Sequence, residues 1–161
     1  MQTQDLGSAQ TWPSRAPCRI EVSQRGTHHS VLAAELIGKG EAILAIVGHV
    51  EERPTRHSVQ VGRSAHVSGP AELPPEMAVA EYGWRFLNHS CEPNAFLRGL
   101  TLIALDDIRE GAEITFDYNT TEWEMAHPFA CVGVVRGYRH LDDAARGRLL
   151  PFLAEHLRVR P

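Results

Sequence analysis

The chain has 161 residues, 43% of them hydrophobic, and carries sixteen Lys and Arg against twenty Asp and Glu, for a formal charge of −4 at pH 7. That length supports one compact domain with a core of its own and not two. The acidic balance argues against the clustered cations of a nucleic-acid surface and fits a basic partner better.

Residues 1–17 mix Gln, Ser, Thr, Gly and Pro and read as a flexible tail. The same stretch is polar and broken by Pro13 and Pro17, unlike a secretory leader, and the longest apolar run, Ala42 to Val47, is too short to span a membrane. Cys18, Ile20 and Val22 alternate with Arg19, Glu21 and Ser23, the period of a half-buried strand, and the segment breaks at Arg25-Gly26. A second strand is expected over residues 31–36, a turn over 37–41, and one longer Ile- and Val-rich strand over 42–50. Residues 58–62 and 65–68 read as a hairpin, and 69–75 as irregular because of its prolines. Two apolar stretches within 95–105 flank Arg98-Gly99, and the charged turn 106–112 leads into Ile114-Thr115-Phe116. The period then changes: Leu141, Ala145, Leu149 and Leu153 recur every fourth residue behind Asp142 and Asp143, which predicts a terminal helix. Pro151 lacks an amide hydrogen and is expected to kink or split it. Cys18, Cys91 and Cys131 are too few and too widely spaced for a disulfide framework and suit a reducing, cytoplasmic setting.

Two segments carry the chemistry. Arg85 to Asn94 reads RFLNHSCEPN, a turn-rich polar run bounded by apolar residues, and Glu113 to Tyr118 reads EITFDY. A Cys91–His89 hydrolytic pair is disfavoured, since the members of such sites are normally gathered from separate parts of a chain. Together the segments resemble the two hallmarks of the SET-domain family. The first is matched at Arg85, Phe86, Asn88, His89, Ser90, Cys91, Pro93 and Asn94; the second is matched at Asp107, Ile108, Gly111, Glu113, Ile114, Thr115, Asp117 and Tyr118.

The resemblance implies a mostly β, SET-like fold of short twisted sheets with a knot-like core and a C-terminal helix. It divides the chain into a SET domain over 18–120 and a post-SET-like segment with the helix over 121–161. It also implies S-adenosylmethionine as cofactor and the side-chain lysine of a protein segment, expected to be basic, as methyl acceptor, with no nucleic acid or membrane as partner. Asn88 and the His89 backbone would hold the cofactor, with Arg85, Phe86, Ser30 and Val31 in the same set; Arg85 would also anchor the fold through carboxylate or carbonyl contacts. Tyr118 would be the catalytic tyrosine, with Tyr82 beside it, and Phe86, Phe116 and Trp123 would help Tyr82 wall a lysine channel. A lysine ammonium, with a pKa of about 10.4 in water, must lose its proton before it attacks a methyl group, and an apolar channel beside a sulfonium favours that loss.

Two departures stand out. Relatives carry a G-x-G loop where this chain reads His28-His29-Ser30-Val31-Leu32-Ala33. They also add a C-x-C…C segment after the tyrosine, of which Cys131 alone remains, within a stretch ending at Tyr138. Two thiols make a poor zinc site without another ligand such as His127, so no metal is predicted. Residues 121–129 and the terminal helix are expected to close the channel in place of the missing segment. The departures keep a second reading open, a catalytically inactive SET-like module that binds a basic protein segment.

Overall fold

The computed structural model describes residues 19–72, 81–131 and 134–157, so the expected tail at 1–17, Cys18, residues 73–75 of the Pro-rich stretch and residues 132–133 lie outside the described residues. β1 (Ile20–Arg25) and β2 (His28–Ala33) form an antiparallel hairpin in which Arg25 faces His28 and Ile20 faces Ala33. β2 therefore starts and ends three residues before the expected 31–36. The turn after Arg25 is short enough to pair His28 at once, and Leu36, 65% exposed, lies beyond the strand.

The apolar run 42–50 is not one strand. β3 (Ala42–Ala45) and β4 (His49–Glu51) belong to different sheets. Gly48 sits where the chain changes sheet, and a Cβ there would stand 2.1 Å from the Ser68 carbonyl oxygen, an approach open only to glycine. β5 (Val59–Gly62) and β6 (Ala65–Ser68) make the expected hairpin, and β6 lies between β4 and β5 in a three-stranded sheet.

β7 (Asn88–His89) falls within the first motif; β8 (Ala95–Arg98) and β9 (Thr101–Ala104) pair beside β3 in a second three-stranded sheet, with β9 central. β10 (Thr115–Phe116) runs parallel to β7, pairing Thr115 with Asn88 and Phe116 with His89. The two sequence motifs are thereby neighbours, although more than twenty residues separate them along the chain. Asn94 fastens the pair: its Oδ1 accepts from the Thr115 amide at 3.0 Å and its Nδ2 donates to the Glu113 carbonyl at 2.8 Å. Asn94→Ala removes both bonds, the one to the Thr115 amide part-buried and the one to the Glu113 carbonyl exposed, so it is expected to cost about 1–2 kcal/mol, read as a lower urea midpoint with unchanged slope.

Under these sheets Val31, Ile37, Ile43, Leu97, Leu102, Ile108 and Ile114 are sealed in one apolar cluster. β11 (Phe129–Ala130) and β12 (Val134–Val135) form a last small hairpin, followed by α1 (Asp143–Leu157). The Asp142 carboxylate accepts from the Ala145 amide at 2.7 Å, the capping role its position predicts. A single helix spans Pro151, so it does not split into two there. Pro151 and Gly147, four residues before it, are both exposed, so water can bond the Gly147 carbonyl that loses its helical donor at the proline. Phe152 packs edge-on against Phe96 of β8, and His156 is buried against the β-sheets. No helix among the described residues is long and apolar enough to cross a membrane.

Candidate functional site

A groove of about 940 Å³ opens where β7, β10 and the segment after Tyr118 meet, a size suited to a nucleoside-like ligand together with a side chain. Phe86, Leu87, Asn88 and His89 from the first motif line it with Phe116 and Tyr118 from the second. Thr121, Glu122 and Phe129 close it from the later segment, as expected of residues 121–129, whereas α1 contributes nothing to the lining.

Tyr118 is held from three sides. Asp117 begins the short 3₁₀ turn Tyr118–Thr120, and its carboxylate accepts from the Asn119 amide and side chain, both at 2.9 Å. The Tyr118 amide donates to His89 Nδ1 at 3.2 Å. Its phenol donates to the Leu87 carbonyl at 2.5 Å, an acceptor presented by the 3₁₀ turn Gly83–Phe86. Burial pushes the phenol up to about 12, helped by the Glu122 and Glu113 carboxylates, so it is a hydrogen-bond donor at neutral pH and not a base. Phe116, His89 and Phe129 surround the ring with centroids 4.9, 5.4 and 5.8 Å away.

The histidine of the first motif has a defined tautomer. Because His89 Nδ1 accepts from an amide, the ring proton belongs on Nε2, 3.3 Å from Cys91 Sγ. Burial pushes this imidazole below its ordinary value, with Asp117 opposing. Cys131 Sγ lies 3.9 Å from Cys91 Sγ, and the three donor atoms fall within 4.8 Å of one another. That spacing suits a tetrahedral ion, but the proton inventory does not fit zinc. Nε2 carries the hydrogen a metal would have to displace, and moving it to Nδ1 would set it against the Tyr118 amide hydrogen. No fourth such ligand, His127 included, joins the group among the described residues.

The remaining sequence-derived residues divide. Asn88 lines the groove, but its Nδ2 already donates at 2.8 Å to the His29 carbonyl and to Glu113 Oε1. Arg85 lines it and donates to the Pro70 carbonyl at 3.3 Å, the anchoring contact expected of it. His28 and His29 stand on β2 rather than in a loop, and His29 stacks on Phe86 with centroids 4.6 Å apart. Ser30 and Val31 are not brought to the groove; Val31 is fully buried beneath it and offers its carbonyl to the Ile114 amide. Tyr82 stands at the start of the 83–86 turn, packed on the core beside Gly69, and Trp123 is 53% exposed and stacked on Tyr138; neither lines the groove. Tyr82 and Trp123 are placed by local turns that period and composition do not disclose.

Sequence reasoning missed four participants. His57 and Arg56 join His28, His29 and Arg85 on a basic side of the groove, and burial together with Arg85 and Arg56 pushes His57 below its ordinary value. Glu122 supplies the carboxyl on the other side. Gln60 organises that side from outside the groove: its amide donates to Glu122 Oε1 at 2.8 Å, its side-chain oxygen accepts from the Trp123 amide at 2.8 Å, and its carbonyl meets His156 Nε2. Only an acid four residues after the tyrosine was available as a sequence signal.

The SET domain family model matches residues 28–119, more than half of the chain. Two histone-lysine N-methyltransferases described as H3 lysine-36 specific are similar to it. The Kluyveromyces lactis protein is 35% identical and the Eremothecium gossypii protein 37%, each match covering 48% of this chain and 13% of the relative. The chain thus spans about an eighth of those relatives' length. Among solved structures, KRYPTONITE in complex with mCHH DNA, an H3(1-15) peptide and SAH superposes with a TM-score of 0.55 at 21% identity, over 73% of this chain and 28% of that one. A second KRYPTONITE structure, with mCHG DNA and SAH, gives 0.54. With its two motifs paired as β7 and β10 around one tyrosine, and its family match spanning both, this chain belongs to the SET-domain family.

Proposed function

We propose that this chain is an S-adenosylmethionine-dependent protein-lysine methyltransferase. The observation that carries the reading is the Tyr118 phenol, held as a donor by the Leu87 carbonyl inside a groove lined by both motifs. Methyl transfer to an amine is a displacement that needs alignment more than covalent help. A fixed hydroxyl among aromatic walls aligns an amine and keeps water away. The bound methyl donor would supply the electrophilic carbon, and Asn88, His89 and Phe86, which line the groove, would hold it. The H3-directed activity of the relatives and the SAH in the neighbouring structures support the reading. A substrate lysine within a basic segment suits the chain's charge of −4.

The second reading, a silent protein-binding module, is favoured by one feature: the Asn88 amide is spent on His29 and Glu113, where a cofactor would compete for it. Titration calorimetry with S-adenosylmethionine, followed by labelled-methyl transfer to core histones and poly-L-lysine, separates the two. Saturable binding at micromolar concentration with label on lysine is expected. Absence of both leaves the module reading.

A further inference from the structure

Glu122 is the single carboxyl residue among the described residues lining the groove. Its amide donates to the Tyr118 carbonyl at 2.9 Å across the turn after the tyrosine, and its charge acts on the Tyr118 phenol, so the two groups are neighbours in the groove. The residue is 7% exposed, its carboxyl anchored by the Gln60 amide at 2.8 Å and reached by the Thr121 hydroxyl at 3.5 Å, both on Oε1. None of the Arg and His side chains lining the groove, His89 and His127 included, forms an ion pair with it among the described residues. A buried acid without a cationic partner, in a groove that has to admit an ammonium and discharge it, is a group with a task to perform.

We propose, building on the methyltransferase reading, that Glu122 contacts the incoming lysine ammonium and accepts its proton before methyl transfer. The carboxylate oxygen takes one ammonium proton, leaving a neutral amine and a neutral carboxylic acid. The nitrogen lone pair then forms the N–CH₃ bond as the S–CH₃ electron pair returns to sulfur, turning the sulfonium into a thioether. The product is a protonated methylamine, and the acid on Glu122 passes its proton to water as the groove reopens. Burial raises this carboxyl to about 7, against the opposing Gln60 and Thr121 hydrogen bonds, which brings it closer to a lysine amine than an exposed glutamate is. Tyr118, a donor throughout that pH range, cannot take the proton itself.

The test is the pH profile of kcat for wild type and Glu122→Gln between pH 6 and 10, a range of about four units chosen to bracket both groups, with S-adenosylmethionine and poly-L-lysine. Wild-type kcat is expected to level off above an apparent pKa near that of the buried acid. Glu122→Gln, whose side-chain oxygen still accepts from Gln60, is expected to be slower by about 10²-fold near neutrality and to gain about tenfold per pH unit towards the pKa of free lysine. Calorimetry with S-adenosylmethionine reports whether the variant is folded. Should it not fold, carbon-13 NMR of wild-type Glu122 is expected to show a carboxyl titrating near neutrality and shifting on addition of poly-L-lysine. Equal kcat and equal profiles for the two proteins, or a carboxyl unmoved by poly-L-lysine, overturn the inference and leave the methyltransferase reading intact. Wild-type protein that transfers no methyl group at any pH overturns both.

Discussion

Tyr118→Phe is expected to slow methyl transfer by about 10²-fold or more while S-adenosylmethionine affinity stays within about threefold. The substitution keeps the ring among Phe116, His89 and Phe129 and removes one oxygen. That oxygen donates to the Leu87 carbonyl, so its lone pairs face away from the backbone and towards whatever occupies the groove. With its ionisation pushed up to about 12 by burial, the hydroxyl aligns an amine by accepting from it and does not deprotonate it. Single-turnover transfer of a labelled methyl group to core histones, paired with calorimetry, measures both quantities. Equal rates for the variant and wild type would remove Tyr118 from the chemistry.

The largest expected effect on stability belongs to His156→Ala. His156 is 2% exposed, with Nδ1 at 2.8 Å from the Gly99 carbonyl and Nε2 against the Gln60 carbonyl; the neutral ring donates to one of them, so it packs α1 on the β8–β9 turn and β5 with a single hydrogen bond. Removing it leaves a cavity and the carbonyl served by the ring's one N–H without its donor, a loss of about 2–4 kcal/mol. Because Gln60 also holds Glu122 and Trp123, the groove should loosen with the helix. The ring has a pH signature too. Burial lowers its pKa below the ordinary 6.5, outweighing the two carbonyl contacts, so below about 6.5 the unfolded chain binds a proton that the folded chain resists. The stability tied to neutral His156 is present above that pH and is lost as pH falls through the folded value. Glu122 runs oppositely: its folded value of about 7 lies above the 4.5 of an exposed glutamate, which favours the fold as pH drops between the two. The measurement is therefore the difference between wild type and His156→Ala in urea-unfolding free energy at pH 7 and pH 5. That difference is expected to shrink on acidification, and its growth would mean that the two carbonyls hold an imidazolium.

The family and its defining tyrosine were legible because they reside in contiguous residues: RFLNHSCEPN and EITFDY need no long-range information to be read. Strand alternation located the 20–25, 59–62, 65–68 and 95–104 segments for the same reason, each being a local hairpin whose period shows in a few residues. The single apolar run at 42–50 misled because hydrophobicity does not record a change of sheet; the reason lies in the approach of Ser68 to Gly48, twenty residues away. The split considered at Pro151 is absent, the carbonyl that loses its helical donor belonging to exposed Gly147.

By itself, then, the sequence determined a mostly β chain with a SET signature, a terminal helix and the tyrosine at which its two motifs converge. Only the tertiary structure decided which polar groups share the groove. It buried Glu122 in the groove, tied Gln60 to Glu122 and brought it against His156, left Tyr82, Ser30 and Val31 out of the lining, and set His89 Nδ1 against the Tyr118 amide. Those outcomes depend on hydrogen bonds between residues that are mostly some thirty to ninety-six positions apart, such as Tyr118 with His89, Gln60 with Glu122 and His156 with Gln60. No local period or spacing encodes which of several distant partners a buried donor will find, because burial forces it to find one and packing alone selects which.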